Sequence, residues 1–287
     1  VTLKKNLGTL LPDIHRIFEG PHEVSEENLD LLAENVKETI RRAVQEAGVP
    51  RDSTLRMSVL GTPNRKLWYS MKYPKEAEES LAAQQHINFC YGHIIEEFLL
   101  FLVREAGHEV ANEQKEVEVN GVVGHIDCEI DGVPVDVKSA SEWGFKKFKD
   151  GNLLRGDDPY GYVHQISGYT NALGKNEGAF VVMNKNRGEL CVLEVPSFFI
   201  EDTPKRIDEI RDVLDKEEVP PRCYDDQPFG KAGNRELVMS CVFCPFKFKC
   251  WPETRVFRYS DKDRFLTTVV SKPKVDEVTQ GYKDELT

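Results

Sequence analysis

No apolar run in the 287 residues approaches the ~20 that a membrane-spanning helix needs, so no helical span is expected within the sequence. Basic charge is short as well: 38 Lys and Arg stand against 49 Asp and Glu, a net charge of −11. Proteins that coat nucleic acid are normally basic, and that class is set aside. An acidic chain can still hold a phosphate backbone on a local basic stripe, and an acidic centre attracts divalent cations. Val1-Thr2-Leu3-Lys4-Lys5 is followed by no apolar core or small-residue cleavage site, so no signal peptide is expected. Lys283-Asp284-Glu285-Leu286 is followed by Thr287 and is not read as a terminal retention signal. The expected location is cytoplasmic, with no membrane partner. The cysteines number seven and cannot all pair. Without a secretory signal, the close group Cys241, Cys244 and Cys250 favours a metal or cluster site over disulfides.

With 40% hydrophobic and 30% charged residues, the composition suits a globular protein with a sizeable core. Leu29, Leu32, Val36 and Ile40 recur at helical spacing after Ser25, a plausible N-cap, with Gly48 and Pro50 as a stop. A longer helix is expected from about Pro74 to Ala106, ended by Gly107. Asn120-Gly121 and Asp131-Gly132 are tight-turn signals, so Lys115–Val119, Val122–Ile130 and Val133–Ser139 read as a three-stranded meander. A helix over Tyr162–Leu173, strands at Ala179–Met183 and Leu190–Val195 and a helix over 204–216 follow. Residues 219–233 read as loop. The fold class is α/β, divided into an N-terminal helical region (1–80), a core (81–200), a C-terminal helix with the cysteine cluster (201–260) and a polar tail (261–287), partly without fixed structure.

If Asp131-Gly132 forms a two-residue turn, Asp127 faces Asp136 and His125 faces Lys138, all on one side of the hairpin. Pro134 then opposes Glu129 in a non-hydrogen-bonded pair, where its missing N–H costs nothing. Opposed carboxylates roughly 5 Å apart are destabilising without a cation. Mg²⁺ or Mn²⁺ is the natural one. Lys138 could then orient or help deprotonate a metal-bound water, or stabilise charge growing on a phosphate. The bland alternative is a solvated polar face with a salt bridge from Lys138.

With these residues in view, the sequence resembles the PD-(D/E)XK nuclease superfamily, in its RecB-like branch with phage and CRISPR-associated relatives. Gly124-His125-Ile126-Asp127 is similar to the first carboxylate motif and Asp136-Val137-Lys138 to the (D/E)-x-K motif. Gln165-Ile166-Ser167-Gly168-Tyr169 is similar to the Q-x-x-x-Y motif, and Gly92-His93 with Glu97 to the upstream helix motif. The resemblance implies a restriction-endonuclease-like central mixed sheet flanked by helices, with an N-terminal helical extension and a cysteine-bound C-terminal element. It implies cleavage of DNA phosphodiester bonds, by an exonuclease more readily than an endonuclease, in the host cytoplasm if a phage encodes the chain. His93, Asp127, Asp136 and the Val137 carbonyl would hold metal, with Lys138, Gln165 and Tyr169 beside them. His93 shares a helix face with Glu97, and Glu96 next to it is weighed equally. Gln165 and Tyr169 are likewise four apart and suit hydrogen bonds to phosphate or to site residues. The lysines and aromatics of Trp143–Lys149 suit a surface for single-stranded DNA or free ends, or else an amphipathic turn with its aromatics packed inward. Two other readings stand beside the exonuclease: a non-catalytic DNA-binding or assembly subunit, and a CRISPR-adaptation nuclease.

Cys241-x2-Cys244-x5-Cys250 implies a soft metal centre, [4Fe–4S] or Zn²⁺. The resemblance favours the iron–sulfur cluster, stapling the fold without a redox step. Such relatives add one distant N-terminal cysteine. The matching segment, Gly61–Tyr69, has none. Cys223 is the first choice for fourth ligand and Cys90 the second, and a local set of four raises the case for zinc. Cys128 and Cys191 fall in strands and read as core residues.

Overall fold

The computed structural model describes residues 4–46, 54–74 and 83–284. In chain order its helices are α1 (Leu7–Ile17), α2 (Glu26–Gln45), α3 (Asn64–Lys72), α4 (Ala83–Glu105), α5 (Glu142–Lys149), α6 (Tyr162–Ala172), α7 (Thr203–Leu214), α8 (Met239–Val242), α9 (Lys247–Cys250) and α10 (Thr279–Asp284). The strands are β1 (Val110–Ala111), β2 (Glu116–Val119), β3 (Val122–His125), β4 (Cys128–Ile130), β5 (Val133–Ala140), β6 (Gly178–Asn184), β7 (Leu190–Val195), β8 (Gln227–Phe229), β9 (Asn234–Glu236), β10 (Arg255–Arg258) and β11 (Asp263–Thr268). They form two compact units. The first takes in the described residues of Val1–Val49, Leu55–Gly61 and Leu81–Glu209, the second those of Pro50–Thr54, Thr62–Ser80 and Ile210–Thr287. No described helix is long and apolar enough to cross a membrane.

The first unit is built on a five-stranded mixed sheet in the order β1-β4-β5-β6-β7, in which only β5 and β6 run parallel. The expected α/β class, a central mixed sheet flanked by helices, is what the structure has. Period-two alternation splits β5 between two layers. Val135 and Val137 join Leu10 and Ile14 of α1 and Leu99 and Val103 of α4 in one core. On the other face, Phe180 of β6 meets Phe148 of α5 and Tyr162 of α6. Ser25 caps α2 by accepting from the Asn28 N–H, and Gly107 follows α4 at φ +77°. The stop at Gly48 and Pro50, and the helix start between 75 and 82, lie outside the described residues.

Both tight turns form, with Asn120, Gly121, Asp131 and Gly132 all at positive φ, and Glu129 pairs with Pro134 as the register requires. The meander between them is corrected. Its middle strand divides into β3, which pairs with β2 in a separate two-stranded sheet, and β4, which joins the main sheet. The cause is a bulge. Between the Ala111–Glu129 and Glu116–His125 pairs, the four residues Asn112 to Lys115 face the three residues Ile126 to Cys128. Asn112 and Gln114 take up the excess at positive φ, and the ribbon bends. His125 therefore points at Glu116, 3.6 Å away, and does not face Lys138.

The second unit holds a four-stranded sheet, β10-β11-β9-β8. Two expectations fail there. The loop read over 219–233 contains β8, and the segment read as a polar tail supplies β11, with Phe265 and Leu266 buried between two neighbours. Its apolar residues are too few for a periodic signal, and pairing on both edges places them.

Candidate active site

Asp136 and Lys138 leave β5 on the face opposite Val135 and Val137, beneath α5 and α6. The bulge re-aims Asp127. Its Oδ2 leaves the ladder and accepts the Val137 N–H at 2.8 Å. Asp127 thus does not sit in a cross-strand pair with Asp136, yet the two still converge. Lys138 Nζ lies 2.8 Å from Asp136 Oδ2 and 3.9 Å from Asp127 Oδ2. It also donates to the Val137 carbonyl at 3.4 Å, so that oxygen lies beside the same ammonium as the two carboxylates.

Asp136 is wholly buried, and its Oδ1 has no hydrogen-bond partner. A buried, unsatisfied carboxylate oxygen is costly unless a cation reaches it. Burial pushes the Asp136 carboxyl up to about 7; the Asp127 and Glu96 charges add to this and the Lys138 ammonium opposes it. Burial works against the charge on Lys138, but Asp136, Asp127 and Glu96 outweigh it and hold the amine protonated well above the ordinary lysine range.

Two helices complete the surroundings. Gly92 lets α4 approach the end of β5 closely, since a Cβ there would come 3.1 Å from Ser139 Oγ. His93 follows it, with Nδ1 2.9 Å from Glu96 Oε2. That hydrogen bond raises the imidazole above its usual range against burial, with smaller contributions from the Glu96 and Asp127 charges. Glu96 acts on both Asp136 and Lys138, whereas Glu97 turns to α2, where Asn35 Nδ2 donates to its Oε2 at 2.9 Å. On α6, Gln165 Nε2 donates to the Tyr169 hydroxyl at 2.8 Å. Burial, then the Asp136 charge, holds the Tyr169 phenol above its ordinary range. Tyr162 was missed. Lys138 Nζ lies 5.8 Å from its ring centre, and burial pushes its phenol up to about 12. It stands three before Gln165 and seven before Tyr169, a spacing that could have drawn it in.

Trp143–Lys149 divides between core and surface. Phe145 and Phe148 are buried, while the Trp143 ring is exposed under Lys147 Nζ at 3.8 Å.

In the second unit, Cys241 of α8 and Cys250 of α9 border the apolar group around Trp251, and Cys244 and Cys250 border the group around Phe246. Burial pushes the Cys241 thiol up to about 12, with Cys244, Cys250 and Cys223 adding to it. Arg222, next to Cys223, donates to the Cys250 carbonyl at 3.1 and 3.3 Å and lies 3.5 Å over the Trp251 ring. The segment without a cysteine packs on the same cluster: Tyr69 of α3 stacks on Phe246 at 5.3 Å, with Cys244 and Cys250 against that group. Cys90 lies on α4 in the first unit. Cys128 and Cys191 are buried in strands. Among the described residues, no three His, Cys, Asp or Glu side chains already stand in an arrangement that could hold an ion.

No protein-family model and no curated protein matches the chain. Solved structures are similar to it, among them the following three. The crystal structure of SSO0001 is 16% identical at a TM-score of 0.42, over 79% of this chain and 96% of that one. An alkaline exonuclease from Laribacter hongkongensis is 15% identical at a TM-score of 0.38, over 59% and 88%. The same exonuclease in complex with dAMP gives 15%, 0.37, 59% and 88%.

Proposed function

We propose that this chain is a Mg²⁺- or Mn²⁺-dependent nuclease that hydrolyses DNA phosphodiester bonds at Asp127, Asp136 and Lys138. The observation that carries the reading is the buried, partnerless Oδ1 of Asp136 beside a second carboxylate and a lysine. A salt-bridged polar face in water would not bury Asp136 completely. The donor set fits a hard divalent ion: Asp127, Asp136, the Val137 carbonyl and His93, with Glu96 within reach of the same charges. When bound, such an ion activates water and neutralises the attacked phosphate. The protein's own groups do the rest. Lys138, kept as an ammonium, is suited to donating to the phosphate oxygen on which charge grows rather than to taking a proton. Gln165 fixes the Tyr169 hydroxyl, and the pair can hold the phosphate or the Lys138 side of the site in place. The Val137 N–H anchors Asp127. The resemblance to RecB-like exonucleases favours digestion from ends.

End-labelled linear and closed circular DNA, each with Mg²⁺ or Mn²⁺, provide the test. Loss of the linear form alone supports an exonuclease, loss of both an endonuclease, and loss of neither defeats the reading. A second readout does not need turnover. Mn²⁺ should stabilise the parent by about 2.7 kcal/mol at a hundred times its Kd, seen as a higher melting temperature, and should not stabilise Asp136→Asn.

The C-terminal cysteines are proposed as a second, structural centre. Cys223, Cys241, Cys244 and Cys250 would hold [4Fe–4S] or Zn²⁺, on the support of Cys241 and Cys244 each bordering an apolar group that Cys250 also borders and of the Arg222 bonds that tie Cys223's neighbour to Cys250.

A further inference from the structure

Resting on the nuclease reading, we propose that Tyr160 is a base-stacking platform for the unpaired nucleotide next to the phosphate cleaved at Lys138. Two rings lead outward from the site. Lys138 Nζ lies 5.8 Å from the centre of the Tyr162 ring, and that ring lies 5.5 Å from Tyr160's. Tyr162 is backed by Phe148 at 5.7 Å and Phe180 at 6.3 Å. Tyr160 is 65% exposed.

The backbone around this ring is held on both sides. The Asp158 carboxylate accepts the Tyr162 and Val163 N–H groups at 3.0 and 2.9 Å, closing the first turn of α6. Gly161 sits at φ +75°, so close to Gly61 that a Cβ on it would come 2.4 Å from the Gly61 Cα. Tyr160 is thus an aromatic ring presented to solvent on a braced turn, ordered before any ligand arrives. A nucleobase fits it. Every base has a flat π face, and stacking one on an aromatic side chain strengthens binding about five-fold to more than a hundred-fold. The Lys138 ammonium serves the phosphate of the same nucleotide. A base inside a duplex is already stacked and paired, so the platform selects single strands and frayed ends. Trp143, also exposed, is the weaker candidate because Lys147 already covers its ring.

The test uses the full chain and single-stranded oligonucleotides carrying 2-aminopurine near one end. Anisotropy and quenching are read in Ca²⁺ and cleavage in Mn²⁺. Tyr160→Ala should weaken binding and raise KM about ten-fold, remove the quenching and leave the loss on KM rather than kcat. Tyr160→Phe should behave as the parent. One abasic nucleotide at the stacked position should cost the parent that same factor and cost Tyr160→Ala nothing more. The inference is overturned if Tyr160→Ala binds, quenches and cleaves like the parent. A parent that shows Tyr160-dependent quenching but cleaves nothing would sink the nuclease reading and keep the platform. A parent that binds no DNA would sink both.

Discussion

Lys138 is the counter-ion of two carboxylates, one of them wholly buried. Removing it would leave Asp136 charged and unpaired, ordinarily a cost of about 3–5 kcal/mol. Here the carboxyl can instead take up a proton, because burial already places it at about 7. Lys138→Ala is therefore expected to fold, to keep its circular dichroism spectrum and to bind DNA, while cleavage falls by about a hundred-fold or more. Cleavage at the parent rate would remove Lys138 from the chemistry. At the same scale, the choice between Glu96 and Glu97 shows what neighbouring positions on a helix leave open. Both lie on the turn after His93, and only the packing of α2, through Asn35, takes Glu97 away from the site.

At the scale of elements, the site depends on one close backbone approach. The Gly61–Gly161 contact has no room for a side chain on either residue, and Gly161 is also left-handed. Gly161→Ala is expected to cost at least about 2 kcal/mol, read as a fall of about 4 °C or more in melting temperature; an unchanged melting temperature would mean that this turn is not braced as described. In the second unit, Glu277 takes a two-point contact from Arg255 and a further one from Lys272. The Arg255 hydrogen bonds hold its carboxyl down to about 2, from an ordinary value of 4.5. A carboxyl depressed on folding contributes stability above its unfolded value and loses it as pH falls through the folded one. That contribution should be complete above about pH 4.5 and gone near pH 2. Glu277→Gln should remove it, with a loss of about 1 kcal/mol at neutral pH given the surface position and a flatter acid limb in urea titrations.

At the scale of the whole molecule, the chain joins two units with different means of support. The first buries a continuous apolar core between α1, α4 and the mixed sheet. The second has smaller apolar groups around Trp251 and Phe246, each with cysteines at its margin. A small unit of this kind gains most from a bound metal. Protein purified without oxygen is expected to carry stoichiometric iron, with the brown absorbance of a cluster, or stoichiometric zinc. Cys223→Ser should lower that content, and chelation should speed hydrogen exchange in α3 and in β9 to β11 while leaving the mixed sheet of the first unit protected. Metal content unaffected by Cys223→Ser would reassign the fourth ligand.

Local rules made much of this legible from the residues alone. Asn120-Gly121 and Asp131-Gly132 set their turns, Pro134 marked its pairing, and spacings of four placed Gln165 with Tyr169. Those signals act between residues a few positions apart, where turn chemistry and side-chain period have direct consequences. What only the tertiary structure decided depends on partners distant in the chain. The extra residue between β1 and β2 bends a strand paired with it and turns Asp127 onto Val137. Pairing on both edges makes β11 a strand, and the fold carries Arg222 onto the Cys250 carbonyl. No periodicity within a segment encodes such contacts, because they exist only once separate elements have packed.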